Sequence, residues 1–174
     1  MSDWIYKKNN DNTARFVLGQ PGENNLICIG VNPSTAEPGK LDPTLTRVSN
    51  FARDNGFDGW IMLNLYPQRS TMPELMHVDK DENLHKLNLK HILHTLNTHK
   101  GKIWAAWGVL IDIRPYLCTC LDDIEVISRF CGNEWITIGN PTLKGHPRHP
   151  LYLKGNSEIM PFYIDYYLSD VCGT

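Results

Sequence analysis

A chain of 174 residues is long enough for one well-packed domain and short for two. Its 41% hydrophobic and 21% charged content is that of an ordinary globular protein, and no apolar run approaches the roughly 18 residues a membrane span needs. A net charge of −2 and a pI near 6.4 argue against broad attraction to nucleic acid, while leaving room for a small basic mouth. The N-terminal MSDWIYKKNN lacks a signal-peptide core, so a cytoplasmic location is expected. Five cysteines, an odd count, fit a reduced compartment better than a disulfide framework. Cys28 reads as a small buried hydrophobe, and the spacing of Cys118, Cys120, Cys131 and Cys172 matches no familiar zinc pattern. Neither a metal nor another cofactor is expected.

In chain order, residues 14–19 (ARFVLG) predict a short edge or entry strand, closed by Gln20-Pro21-Gly22. Residues 26–29 are a continuous run of β-formers, as in a strand buried on both faces, and they stop at Gly30-Val31-Asn32-Pro33-Ser34. Asp42 is a candidate N-cap with Pro43 at the first helical position, and Leu45, Val48, Phe51 and Ala52 keep helical spacing up to Asn55-Gly56. Residues 60–66 (WIMLNLY) form a second strand, with Asn64 interrupting its apolar run, and 67–82 read as loop. Leu84, Leu87, Ile92, Leu93 and Leu96 mark an amphipathic helix, capped by Asp81 or Asn83. Strands are predicted at 102–107 and 135–139, a helix interrupted by Pro115 at 109–117, and an aromatic tail over 159–168 that finishes as a helix.

Strands thus alternate with helices about every 35 residues, the rhythm of βαβ units. The expectation is a single α/β domain, three-layer α/β/α, with a central, mostly parallel four-stranded sheet. Right-handed crossovers place the junctions at 30–34, 64–69, 107–108 and 139–150 on one edge, where α/β sheets bind ligands.

Several residues at that edge carry chemistry. Asn32 either positions a water or a polar substrate group, or closes a local Asx turn. A buried amide at Asn64 would cost roughly 1–3 kcal/mol unpaired, so it binds a neighbouring loop or a ligand, and its donor and acceptor suit the edge of a heterocyclic base. Asp42 and Arg47 either pair with each other or cap and decorate their helix. Lys144, His146, Arg148 and His149 form a basic patch dense enough to meet a phosphate, with a solvated surface loop as the plain alternative. His91 and His94 share a helix face but lack a third metal ligand.

The ordered set NPSTA (32–36), DPT-x-x-R (42–47), NLYPQR-x-T (64–71), EN (82–83), AAWG (105–108) and G-x-P-x-HPLYL (145–153) resembles a bacterial and phage family known only as domain of unknown function 1643. More distantly, Gly30-Val31-Asn32-Pro33 is similar to a motif of the uracil-DNA glycosylase superfamily, in the branch where the Asn positions the attacking water, although Ser34 stands where that branch has Gly. Asn64 resembles that superfamily's base-reading Asn at a strand end, and His149-Pro150-Leu151 its second motif. The resemblance implies a doubly wound, glycosylase-like fold acting on a nucleobase N-glycosidic bond in DNA or a nucleotide. It implies Asn32 and His149 as catalytic residues, orienting water and stabilising the departing base. Gly30, Pro33, Ser34, Asp42, Arg47, Asn64, Tyr66, Arg69, Gly108, Lys144, His146 and Arg148 are the candidate substrate-binding residues. The modest charge favours single-stranded, damaged or small substrates. The alternative is a non-catalytic nucleotide- or nucleic-acid-binding module, motivated by the lack of a strong acid–base pair. A phosphate-ester hydrolase would need a carboxylate cluster that the sequence does not offer.

Overall fold

In the computed structural model, which describes residues 3–174, the apolar runs form the middle of one mixed sheet. Its strands are β1 (Ile5–Lys8), β2 (Arg15–Gln20), β3 (Asn25–Gly30), β4 (Gly59–Asn64), β5 (Gly101–Ala105), β6 (Trp135–Ile138) and β7 (Ile159–Pro161). They lie in the order β1-β2-β4-β3-β5-β6-β7. Neighbours within β4-β3-β5-β6 pair in parallel, and β1, β2 and β7 attach antiparallel to the neighbours they follow or flank. The sheet therefore has seven strands where four were expected. The four expected strands are the parallel block. β1 and β7 are short, half-exposed edges, IYKK and IMP, that carry no continuous apolar run. β2 is an inner strand between β1 and β4 rather than an edge.

Alternation along β3 sends Leu26 and Cys28 to one face and Ile27 and Ile29 to the other. On the first face lies α1 (Pro43–Asp54), whose Leu45, Val48, Phe51 and Ala52 pack against Leu26, Cys28, Trp60, Met62 and Trp104. On the second lie α2 (Glu82–Thr98) and α3 (Tyr116–Cys131), over Ile27, Ile29, Ile61, Leu63 and Ile103. Helix α1 starts as its sequence dictates: Asp42 Oδ1 accepts from the Leu45 N–H at 2.9 Å, and Pro43 occupies the first turn.

Three expectations are corrected. The buried stripe of α2 includes His85, Asn88, Ile92, Thr95 and Leu96, while Leu87 and Leu93 are each 40% exposed. Its polar members are buried because each has a partner: His85 meets Asp123, Asn88 donates to the Asn64 carbonyl, and Thr95 donates to the His91 carbonyl. In the third crossover, Pro115 stands at the start of α3 rather than breaking a helix; a tight 3₁₀ segment, Gly108–Ile113, precedes it. The tail makes β7, one helical turn (Ile164–Tyr166) and a π-helical turn (Tyr167–Cys172) that brings Cys172 into a disulfide with Cys118 of α3. The cysteines are thus not all free thiols. No described helix is long and apolar enough to cross a membrane.

Candidate functional site

β3 is the first strand of the parallel block, with β4 on one side and β5 on the other. The chain reverses direction across the sheet there, and the loops after β3 and β5 leave to opposite sides, the place where α/β sheets take ligands. A cavity of about 590 Å³ occupies this end. It is lined by residues 30–34 after β3, 42–45 at the start of α1, Asn64 at the end of β4, 106–110 after β5 and 148–152 after β6.

Asn64 sits on this cavity's inner wall, 1% exposed, and neither its Nδ2 nor its Oδ1 has a hydrogen-bond partner. Its main-chain carbonyl is fixed by Asn88 Nδ2 at 3.0 Å. Gly30 pairs with it across the sheet, and a Cβ on Gly30 would stand 2.8 Å from Met62 Cε and 3.3 Å from Asn64 Oδ1. A side chain there would displace Met62 and crowd the amide.

Asn32 also lines the cavity, and its Nδ2 is committed: it donates to the carbonyls of Pro33 at 3.0 Å, Gln68 at 3.2 Å and Ser70 at 3.2 Å. This ties the loop after β3 to the loop after β4, a structural task in addition to the two roles weighed from sequence. It also fixes the amide's orientation and leaves Oδ1 as a free acceptor.

His149 projects from the last lining segment. The Leu151 N–H donates to its Nδ1 at 3.2 Å, which places a neutral ring's proton on Nε2. Burial lowers the His149 pKa below 6.5, with nearby Asp42 opposing the shift. Gly108, at φ +61°, leaves only 3.1 Å between a built Cβ and His149 Cβ, so a side chain there would be strained and would press on the histidine. The sign of the pH effect follows. A depressed histidine pKa contributes stability that is complete above about pH 6.5 and lost as pH falls through the folded value. Between roughly pH 8 and pH 5 the wild type should therefore lose stability relative to His149→Gln. Chemical denaturation at both pH values checks this, and an unchanged difference contradicts it.

Of the candidate residues, Gly30, Asn32, Pro33, Ser34, Asp42, Asn64, Gly108, Arg148 and His149 meet at the cavity. The other five are placed elsewhere. Arg47 straps α1 to the last loop through the carbonyls of Pro150 and Leu153. The Tyr66 hydroxyl lies 2.7 Å from His77 Nδ1 and accepts from the Asp81 N–H at 3.0 Å. Arg69 donates to the Ser34 carbonyl at 2.5 Å and to the Tyr6 hydroxyl at 2.7 Å, behind the lining. Lys144 is exposed. His146 is buried between the Tyr167 hydroxyl, at 2.7 Å, and Asp112, at 2.9 Å, and Tyr167 in turn accepts from the Trp107 indole. The expected basic patch thus does not act as one unit: only Arg148 and His149 of its four members reach the cavity.

Arg15 is the charged lining residue that lies outside the motifs. It is 1% exposed, and its Nη1 donates to the Ala36 carbonyl at 3.1 Å while its Nε has no partner. Burial, with Arg69 adding repulsion, pushes its pKa down to about 10, so it stays charged at neutral pH. The sequence signal was a single cation inside the β-forming run ARFVLG.

A family model described as "Protein of unknown function (DUF1643)" matches residues 15–151. The match begins at Arg15 and ends at Leu151, and so takes in every residue lining the cavity except Tyr152. No curated protein and no solved structure matches the chain.

Proposed function

The chain belongs to the DUF1643 family, and we propose that its pocket binds a nucleobase and hydrolyses the N-glycosidic bond that carries it. The observation that carries this reading is Asn64, whose amide is buried in a cavity wall with both polar atoms unpartnered. Such an amide costs stability unless a ligand satisfies it, and an adjacent donor and acceptor match the paired groups on a base edge. The chemistry follows from its neighbours. Asn32 Oδ1 accepts a hydrogen bond from water and holds it for attack on the anomeric carbon. The electron pair of the breaking C–N bond leaves with the base, Nε2–H of a neutral His149 donates a hydrogen bond to the developing anion, and the proton that the attacking water loses passes through solvent to the departed base.

The uracil-DNA-glycosylase-like reading draws support from the shared location of its three elements. Gly30-Val31-Asn32-Pro33, Asn64 and His149-Pro150 all line the one cavity. One observation favours the non-catalytic alternative: Asp42 is the only carboxylate in the lining, and its Oδ1 is spent on the α1 cap. The test is chromatographic detection of free base after incubation with nucleosides, nucleotides and oligonucleotides containing uracil or hypoxanthine, single- and double-stranded. Release of a base supports hydrolysis, and saturable binding without release supports the binding module. Neither binding nor release on any of them contradicts both.

A further inference from the structure

We propose that Arg15 holds a terminal phosphate, so that the pocket's ligand is a nucleoside carrying a phosphomonoester at its end; this rests on the base-binding reading above. Arg15 and Arg69 lie close enough to repel, and neither joins an ion pair among the described residues. Asp42 is the acidic group acting on Arg15, and its Oδ1 already accepts from the Leu45 N–H. Arg69 spends its Nη donors on the Ser34 and Ala36 carbonyls and the Tyr6 hydroxyl and does not line the cavity, which makes it a positioning residue for the 34–36 loop although its Nε too lacks a partner. Arg15 lines the cavity and makes one bond, to the Ala36 carbonyl, and its Nε is buried without a partner. Clamping one carbonyl needs only a neutral donor. A buried guanidinium with unused donors calls for an anion.

The first turn of α1 lines the same cavity and offers a second anion contact. Asp42 caps the Leu45 N–H, Thr46 N–H donates to the Asp42 carbonyl, Pro43 has no N–H, and the Thr44 N–H is left without a partner among the described residues. Depth selects the kind of phosphate. An internal phosphodiester is flanked by sugar on both sides and needs an open groove, whereas a donor that is 1% exposed is reached only by a chain end. A cavity of about 590 Å³ has room for base, sugar and phosphate together.

The test is calorimetric titration of the full chain with nucleosides, their 5′-monophosphates, inorganic phosphate, and oligonucleotides with and without a 5′-phosphate. The expected result is at least tenfold tighter binding of a monophosphate than of its nucleoside, and competition by inorganic phosphate. Phosphorylated oligonucleotides bound as tightly as mononucleotides would make the source a strand end; weaker binding would make it a free nucleotide. Arg15→Gln should erase the preference for the phosphate. If that variant does not fold, the wild-type comparison decides alone. Equal affinity for nucleoside and monophosphate overturns the proposal. Phosphate-dependent binding without discrimination among bases would instead sink the base-reading role of Asn64 and leave this subsite standing.

Discussion

Asn64→Leu should make the protein more stable and its pocket inert. The substitution removes two buried polar atoms that have no partner and replaces them with apolar atoms of similar bulk. The desolvation penalty of such atoms is about 1–3 kcal/mol, and most of it should be recovered. For a domain of this size about 1 kcal/mol moves the melting temperature by roughly 2–4 °C. The extra volume has somewhere to go, because Asn64 lines the cavity. Ligand affinity should fall about tenfold to a hundredfold, since a bidentate base contact is worth about 1–3 kcal/mol and leucine leaves the base edge unpaired. Thermal melts and titration with the ligand that the wild type binds best give the two readings. An amide serving only the fold predicts the opposite sign: destabilisation, with affinity unchanged.

Asn32→Ala should cost both stability and turnover. Its Nδ2 joins the carbonyls of Pro33, Gln68 and Ser70, so alanine cuts the tie between two loops and should destabilise by about 1–3 kcal/mol. The Pro33 carbonyl keeps a second partner, the Ser70 N–H at 2.9 Å, so the loops stay close. Turnover should fall by about two to four orders of magnitude, the usual contribution of a group that directs proton and water chemistry. Single-turnover base release, well below the variant's melting temperature, separates the two effects. A folded variant with wild-type turnover removes Asn32 from the mechanism.

The parallel block and the edge where the cavity lies were legible because each rests on a local signal. The runs at 26–29 and 60–66 are too apolar to lie anywhere but the sheet centre, and Asp42-Pro43 starts a helix by its own chemistry. Asn64 was legible because an amide in an apolar strand is an anomaly that needs a cause. What escaped depended on partners distant in sequence. Helix α2 buries His85, Asn88 and Thr95 in place of two of its leucines because Asp123 and the Asn64 carbonyl lie across from them. The Cys118–Cys172 pairing spans 54 residues and follows only from the tail's return to α3. Arg15 carries no local signal beyond its charge, because its burial comes from the 34–36 loop, whose Ala36 carbonyl it bonds. His146, next to the site in sequence, turns away because Tyr167 and Asp112 claim both ring nitrogens.

The central claim is that one cavity reads a base through Asn64. The most direct measurement is a crystal structure with the tightest-binding nucleoside monophosphate of the titration series. The account predicts base-edge atoms within about 2.7–3.2 Å of both Asn64 Nδ2 and Oδ1. A ligand seated elsewhere, or one that leaves the Asn64 amide facing only ordered water, would contradict it.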